Sequence, residues 1–437
     1  MIPSQALALV FACATLSPQE SQPAAAPSKT APGEAAPASD AQHPTVEQAV
    51  TEGIRLLLEN QESYRTDKPV GSLSEDKLAE WQKDEAERLA KLRQRGAESK
   101  KRPNREWPYE GVYRVGPLGA IPSGYRVGGT AIVCEALLRA PGFSEDPQRK
   151  AALQRSVAFL LEMFANDPTL EGQAQTDYDV RGWGHAYGLN LLLDVSENGL
   201  VDAETVEQCK AVIPDLIGRL QAGALQGGGW NYAGGACSPF MTGPTLLFLF
   251  QARAAGYEVP ETMVQQALDA LEAGRDESSG AFGYAGPRRE PMASSAARAA
   301  IAELALMQAG RSDTQHLRRA VLGFFDNWEH LLARKSQQGT HKPPYGIAPY
   351  YFFYGHAYAG LAIESLPEPE RPALRQRLQQ LLWDTRQANG GWNDRIFPRT
   401  ESYSTAMSVL ALLSPSLPAP ARWTGAGATK PAPEAAK

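Results

Sequence analysis

A glycine-rich aromatic turn recurs along the chain and constrains the fold more than any other feature. It reads Gly227-Gly228-Gly229-Trp230-Asn231-Tyr232, then more loosely Gly280-Ala281-Phe282-Gly283-Tyr284, then Gly390-Gly391-Trp392-Asn393-Asp394. Each copy follows a charged amphipathic stretch and precedes an apolar one; Tyr403 to Leu413 is the apolar stretch after the last. Self-similarity at a period of roughly fifty residues marks stacked units that bury their faces only against neighbours.

The same alternation runs through most of the chain. Amphipathic helices are expected over 44–61, 149–165, 203–220, 260–273, 313–332 and 371–388, with Pro214 kinking or splitting the third. Apolar helices are expected over 130–138, 182–195, 240–254, 293–309, 350–366 and 403–413. A helix that is apolar on most faces is covered all round, whereas an amphipathic one is covered on one side. The expectation is therefore an all-α (α/α)6 toroid, a double ring of six inner and six outer helices, as one domain over residues 44–413. Residues 73–101 interleave Glu, Lys and Arg around a thin apolar stripe. They read as a charged helical insertion in the first repeat and a candidate surface for a protein partner.

A net charge of −6 over 437 residues gives no nucleic-acid footprint. Residues 1–14 read as a secretory leader, with a short apolar core and a small-x-small site at Ala12-Cys13-Ala14. Val10-Phe11-Ala12-Cys13 also resembles a lipoprotein box, which makes Cys13 a candidate lipidation site. Residues 15–43 and 414–437 are rich in Pro and Ala and are expected to be a disordered linker and tail. No apolar run reaches the roughly 20 residues that span a bilayer. An exported chain is the reading. Cys134, Cys209 and Cys237 form an odd set once Cys13 is set aside, so buried thiols are expected rather than a disulfide framework.

The Gly-Gly-Trp turns, the helix ending Leu57-Leu58-Glu59-Asn60-Gln61 and the pattern Tyr403-Ser404-Thr405-Ala406 resemble the repeats of protein prenyltransferase β subunits and squalene–hopene cyclases. The resemblance covers nearly the whole chain outside the termini and the charged insertion, and it implies an α/α toroid. In that superfamily the segments before the inner helices gather at one end of the barrel. Here this implies a mouth built from Asp177, Asp179, Arg181 and Trp183, from Arg289 and Glu290, from Tyr351 and Tyr354, and from Trp392, Asp394, Arg395 and Glu401. Helix N-termini gathered there would favour anions.

The catalytic motifs of those families do not carry over. Protein prenyltransferases hold zinc through an Asp and a Cys two residues apart plus a later His. Gly235 stands at the matching Asp position before Cys237, and residues 286–298 contain no His. No metal or other cofactor is expected, and Cys237 reads as a buried or capping thiol. The squalene cyclases protonate their substrate with Asp-x-Asp-Asp, of which Asp177-Tyr178-Asp179 has only two carboxylates. Terpene chemistry is not expected.

Two tetrads, Gly184-His185-Ala186-Tyr187 and Gly355-His356-Ala357-Tyr358, occupy equivalent places on the second and fifth inner helices. His185 and His356 are candidate general bases, with Tyr187 and Tyr358 beside them; repeat-derived packing explains the same tetrads without chemistry. The main expectation is a protein that binds a ligand, isoprenoid or saccharide, or a partner, at the barrel mouth. The alternative is an enzyme acting on a saccharide, as hydrolase or lyase, or on an isoprenoid, through His185, His356 and the mouth carboxylates. Glycoside hydrolysis needs two carboxylates roughly 5–10 Å apart, which Asp177 or Asp179 with Asp394 or Glu401 would supply.

Overall fold

A computed structural model describes residues 43–64, 75–100, 103–110, 120–171, 180–232, 235–337 and 339–424. The expected leader and most of the expected linker lie outside the described residues.

Twelve helices form the double ring. The inner six are α3 (Ser123–Arg139), α5 (Arg181–Asn198), α7 (Pro239–Ala254), α9 (Met292–Gln308), α12 (Tyr351–Ile363) and α14 (Thr400–Leu413). Each packs on the next, and α14 returns to α3, so the ring is closed. The outer six are α1 (Val46–Glu59), α4 (Pro147–Asn166), α6 (Ala203–Ala222), α8 (Glu261–Ala273), α10 (Thr314–Asp326) and α13 (Arg371–Asp384). Outer helices α4, α6, α8, α10 and α13 lie on α3, α5, α7, α9 and α12 in turn, while α1 lies mainly on α14. The first helix thereby covers the last. No strand occurs among the described residues, only isolated bridges.

The layer assignment follows from the residues. Helix α9 is covered on all sides, and even its polar Ser295, Arg298 and Glu303 are buried. Helix α1 buries Ala49, Val50, Ile54 and Leu57 while Glu47, Thr51 and Arg55 face solvent. Helix α6 is not split by Pro214 but runs on through it. The expected helix over 313–332 does break, at Asn327, leaving a short α11 (Trp328–Leu332). The insertion is a single helix, α2 (Glu75–Glu98), whose residues Leu89 and Gly96 are buried while Lys83, Asp84, Glu87 and Lys91 stay exposed. Arg93 of α2 donates to Asn60 at the end of α1 (2.7 Å).

The recurring turn is a two-point clamp. Trp230 Nε1 donates to the Leu220 carbonyl of the preceding outer helix (2.8 Å), and its backbone N–H donates to Thr242 Oγ1 of the following inner helix (2.9 Å). Trp392 repeats this with Leu382 (2.9 Å) and Thr405 (3.1 Å). Phe282 keeps only the backbone half, to Ser295 Oγ (2.8 Å). The glycine two places before each aromatic, Gly228, Gly280 or Gly390, has φ of 88°, 74° or 90°, a backbone that side chains rarely adopt. Trp107 is a fourth copy, bonded to Leu57 (2.7 Å) and Thr130 (2.9 Å), but Arg105-Glu106 precede it instead of glycines. Its place beyond the insertion hid it in the sequence. Removing one arm leaves a buried N–H without an acceptor, so Thr242→Val should lower the unfolding free energy by about 1–3 kcal/mol in urea titration. An unchanged midpoint would make the clamp incidental.

The expected domain boundary at residue 413 falls short. Residues 414–424 are not a free tail: a short 3-10 turn at Ser414–Ser416 leads into an extended strap that ends on the buried Trp423. Trp423 fills a gap between α7 and α9, and this apolar contact was invisible among the surrounding prolines and alanines.

Candidate functional site

The bore has two unlike ends. At the end where the inner helices begin, aromatic rings fill the axis. Tyr109 packs against Tyr403 (4.3 Å between centroids), Trp183 against Tyr187 (5.2 Å), and Phe240 against Tyr354 (4.5 Å), all with tilted rings. The charged groups at this end are mostly engaged by neighbouring side chains and carbonyls. Glu290 accepts from Arg298 (3.0 Å), Glu106 from Arg126 (2.7 Å), and Glu401 from Asn60 and Asn389 (2.9 and 2.6 Å). Arg181 donates to the Glu171 carbonyl and Arg289 is exposed. Asp177 and Asp179 lie outside the described residues.

Other mouth candidates are core. Trp392 is the clamp residue described above, so its ring is committed to packing. Tyr351 and Tyr354 are wholly buried, with Tyr354 donating to the Phe240 carbonyl (2.9 Å). Arg395 is buried beside Phe397. Asp394 is buried too, and neither carboxylate oxygen has a hydrogen-bond partner among the described residues. Burial pushes its pKa up to about 7, against the pull of Arg395. Cys134, Cys209 and Cys237 are free and buried, and Cys237 Sγ sits 3.2 Å from Thr242 Oγ1.

The two histidines do not face the bore, which corrects their candidacy as bases. Positions i and i+2 on a helix point in nearly opposite directions. Tyr187 and Tyr358 point to the axis, so His185 and His356 point to the outer layer. His185 Nε2 lies 2.9 Å from the Leu170 carbonyl. His356 is wholly buried; Trp328 Nε1 donates to its Nε2 (2.9 Å), so its Nδ1–H donates to the Phe352 carbonyl (2.8 Å). Burial lowers its pKa to about 4, and it stays neutral. Both nitrogens are used, so it has no lone pair for a substrate or metal.

The tyrosines of the same tetrads do reach a site. Their hydroxyls meet across the axis at 2.7 Å and form the floor of a cavity of about 480 Å³. The cavity lies where the inner helices end, opposite to the expected mouth. Five inner helices contribute walls, and Leu417 to Ala421 of the strap form another. Its polar wall is a carboxylate pair, Glu135 of α3 and Asp194 of α5. Arg139 joins them, with Nε 3.6 Å from Glu135 and Nη2 bonded to Asp194. Asn190 Nδ2 donates to Glu135 (2.8 Å) and Gln251 Nε2 to Asp194 (3.0 Å). Burial, and then the adjoining Asp194 carboxylate, push Glu135 well above the usual carboxylate range. Glu135 therefore keeps its proton more readily than an exposed carboxyl does.

Neither acid was a candidate from sequence. The signal was present: each is a lone acid in an otherwise apolar run, Ile132-Val133-Cys134-Glu135-Ala136-Leu137 and Leu191-Leu192-Leu193-Asp194-Val195. An acid on a helix covered all round needs a partner or a proton. Which acids meet across the ring is decided only by the fold.

Fold and site define an α/α toroid, closed by six inner helices, with one strapped cavity at the inner-helix C-termini. Among solved structures it is similar to the GH76A α-1,6-mannanase of Salegentibacter sp. HEL1_6, at 12% identity and TM-score 0.49, over 84% of this chain and 100% of that one. It is also similar to the unsaturated glucuronyl hydrolase of Streptococcus agalactiae, at 13% identity and TM-score 0.48, over 86% and 93%. A likeness to Salmonella α-2-macroglobulin reacted with methylamine has 16% identity and TM-score 0.35 over 60% of this chain, which spans only 17% of that protein. No protein-family model and no curated protein sequence matches the chain.

Proposed function

We propose that the protein binds a saccharide in the strapped cavity and acts on it by acid–base chemistry. One observation carries the reading: a proton-retaining carboxyl, Glu135, stands beside a second carboxylate, Asp194, at the wall of a cavity with a tyrosine floor. Hydrolysis of an acetal needs an acid to protonate the leaving oxygen and a carboxylate for the developing positive charge or the attacking water. Glu135 and Asp194 are hydrogen-bonded to each other, closer than the two opposed carboxylates of a hydrolase, so the pair serves as one proton-bearing acid and the second carboxylate is left unassigned. Asn190, Gln251 and the Tyr187–Tyr358 pair present the donors and acceptors that hydroxyl-rich ligands require. Phe248, Leu247 and Met407 supply apolar surface for sugar faces. This moves the enzymatic reading away from His185 and His356 to residues at the other end of the ring.

The repeat we assign to the prenyltransferase and squalene-cyclase type, supported by the Gly-Gly-Trp clamp and without the catalytic motifs of either family. The chemical reading is tested by calorimetry and reducing-end assays with mannan, glucan, chitin and uronide oligosaccharides. One class should bind, and Glu135→Gln and Asp194→Asn should each weaken binding about tenfold or more and abolish cleavage. Absence of binding across the panel, or full cleavage by both variants, would sink the proposal.

A further inference from the structure

We propose that residues 417–421 are a gate over this cavity and that Trp423 is its latch. The strap enters from α14 through a turn closed by Leu417 N–H to Ser414 O (3.2 Å) and Ser416 Oγ–H to Leu413 O (2.8 Å). Its next fixed point is Trp423, whose N–H donates to the Gln308 carbonyl at the end of α9 (3.0 Å). Between these points, among the described residues, no backbone N–H donates to another backbone carbonyl, and Pro418 and Pro420 have none to give. Five consecutive residues therefore wall a cavity with backbone bonds only at their two ends, where Leu417 and Ala421 add partly buried apolar contacts.

The far hold is one ring. Trp423 stacks on Phe250 (5.4 Å) and lies under the Arg253 guanidinium (4.6 Å). Among the described residues it is the one buried residue after Ser414, and Pro418, Ala419 and Arg422 around it are exposed. Its indole N–H is buried without a hydrogen-bond partner among the described residues, which makes release cheaper than for a satisfied tryptophan. Segments with few buried contacts and few backbone bonds open far below the global unfolding energy. The near hold is continuous with a core helix, so the strap swings from residue 416 when the ring leaves its slot. The inner-helix walls stay in place during this motion, because they belong to the closed ring.

The gate deepens the saccharide reading by giving its site an entrance, yet its test needs no saccharide. Ala357 lines the cavity, and the native thiols at 134, 209 and 237 are buried. A full-length chain carrying Cys13→Ser and Ala357→Cys is labelled with dithiobis(nitrobenzoate). Adding Trp423→Ala should speed labelling about tenfold or more. Deletion of residues 417–437 should do the same, and Trp423→Phe should return the rate close to that of the latched chain. Equal rates in all of these chains overturn the gate, as does an acceleration that merely tracks lost global stability in urea. Faster labelling in a chain that binds no saccharide keeps the gate and removes the saccharide reading.

Discussion

Replacing Arg399 with Met should destabilise the protein by about 3–5 kcal/mol, because it strands a buried carboxylate. Arg399 and Glu62 have side chains 1% exposed and are joined by two bonds, Nε to Oε1 at 2.9 Å and Nη2 to Oε2 at 3.2 Å. Glu62 follows the first outer helix, and Arg399 immediately precedes the last inner one. The pair therefore staples the first repeat to the sixth, at the seam where the ring closes. Glu85 of the insertion and Glu110 also approach the guanidinium, at 4.0 and 3.8 Å. Urea denaturation of Arg399→Met, Glu62→Gln and the double variant checks this. Both single variants should lose stability, and the double should regain much of the loss, since removing both members of a buried pair costs far less than removing one. Additive losses would mean that the two side chains act through separate neighbours.

The second large effect depends on pH. Asp394 has a folded pKa of about 7 against an ordinary 3.8, with burial as the cause. Between those values the native state holds a proton that the unfolded state has released, so stability falls as pH rises through this window and levels off above it. The shift corresponds to about 4 kcal/mol. Asp394→Asn should therefore raise the unfolding free energy by several kcal/mol at pH 8 and change little at pH 4. His356 works in the opposite sense. Its pKa of about 4 lies below the ordinary 6.5, so the native state loses stability as pH falls from 6.5 toward 4. A flat difference between Asp394→Asn and the parent from pH 4 to 8 would show that the carboxylate is not the source of the penalty.

The double ring was legible because its cause is periodic. Apolar stretches covered all round and amphipathic stretches covered on one side alternate along the chain, and Trp230 and Trp392 mark where one becomes the other. Trp107 was missed because the insertion interrupts its repeat and no glycine announces it. The site was far less legible. His185 and Tyr187 stand two residues apart in one tetrad, yet they face opposite layers, and only helical phase separates the packing residue from the cavity residue. Glu135 and Asp194 lie 59 positions apart on neighbouring inner helices; no local pattern encodes that meeting. Trp392 and Tyr351 were singled out by residue type, and both are held in the core, Trp392 by the helices on either side of its turn and Tyr351 by Phe240 and Arg298 of other repeats.

The stack of rings from Tyr109 to Tyr358 has a consequence for traffic. It makes the toroid a cup rather than a tunnel, with Tyr187 and Tyr358 as the bottom of the vessel. Nothing can thread through such a shape. A long polymer could present only a terminus, and anything held at the bottom must leave past the rim by which it entered. If the protein acts on a saccharide as proposed, this geometry favours trimming from an end, one short piece per visit.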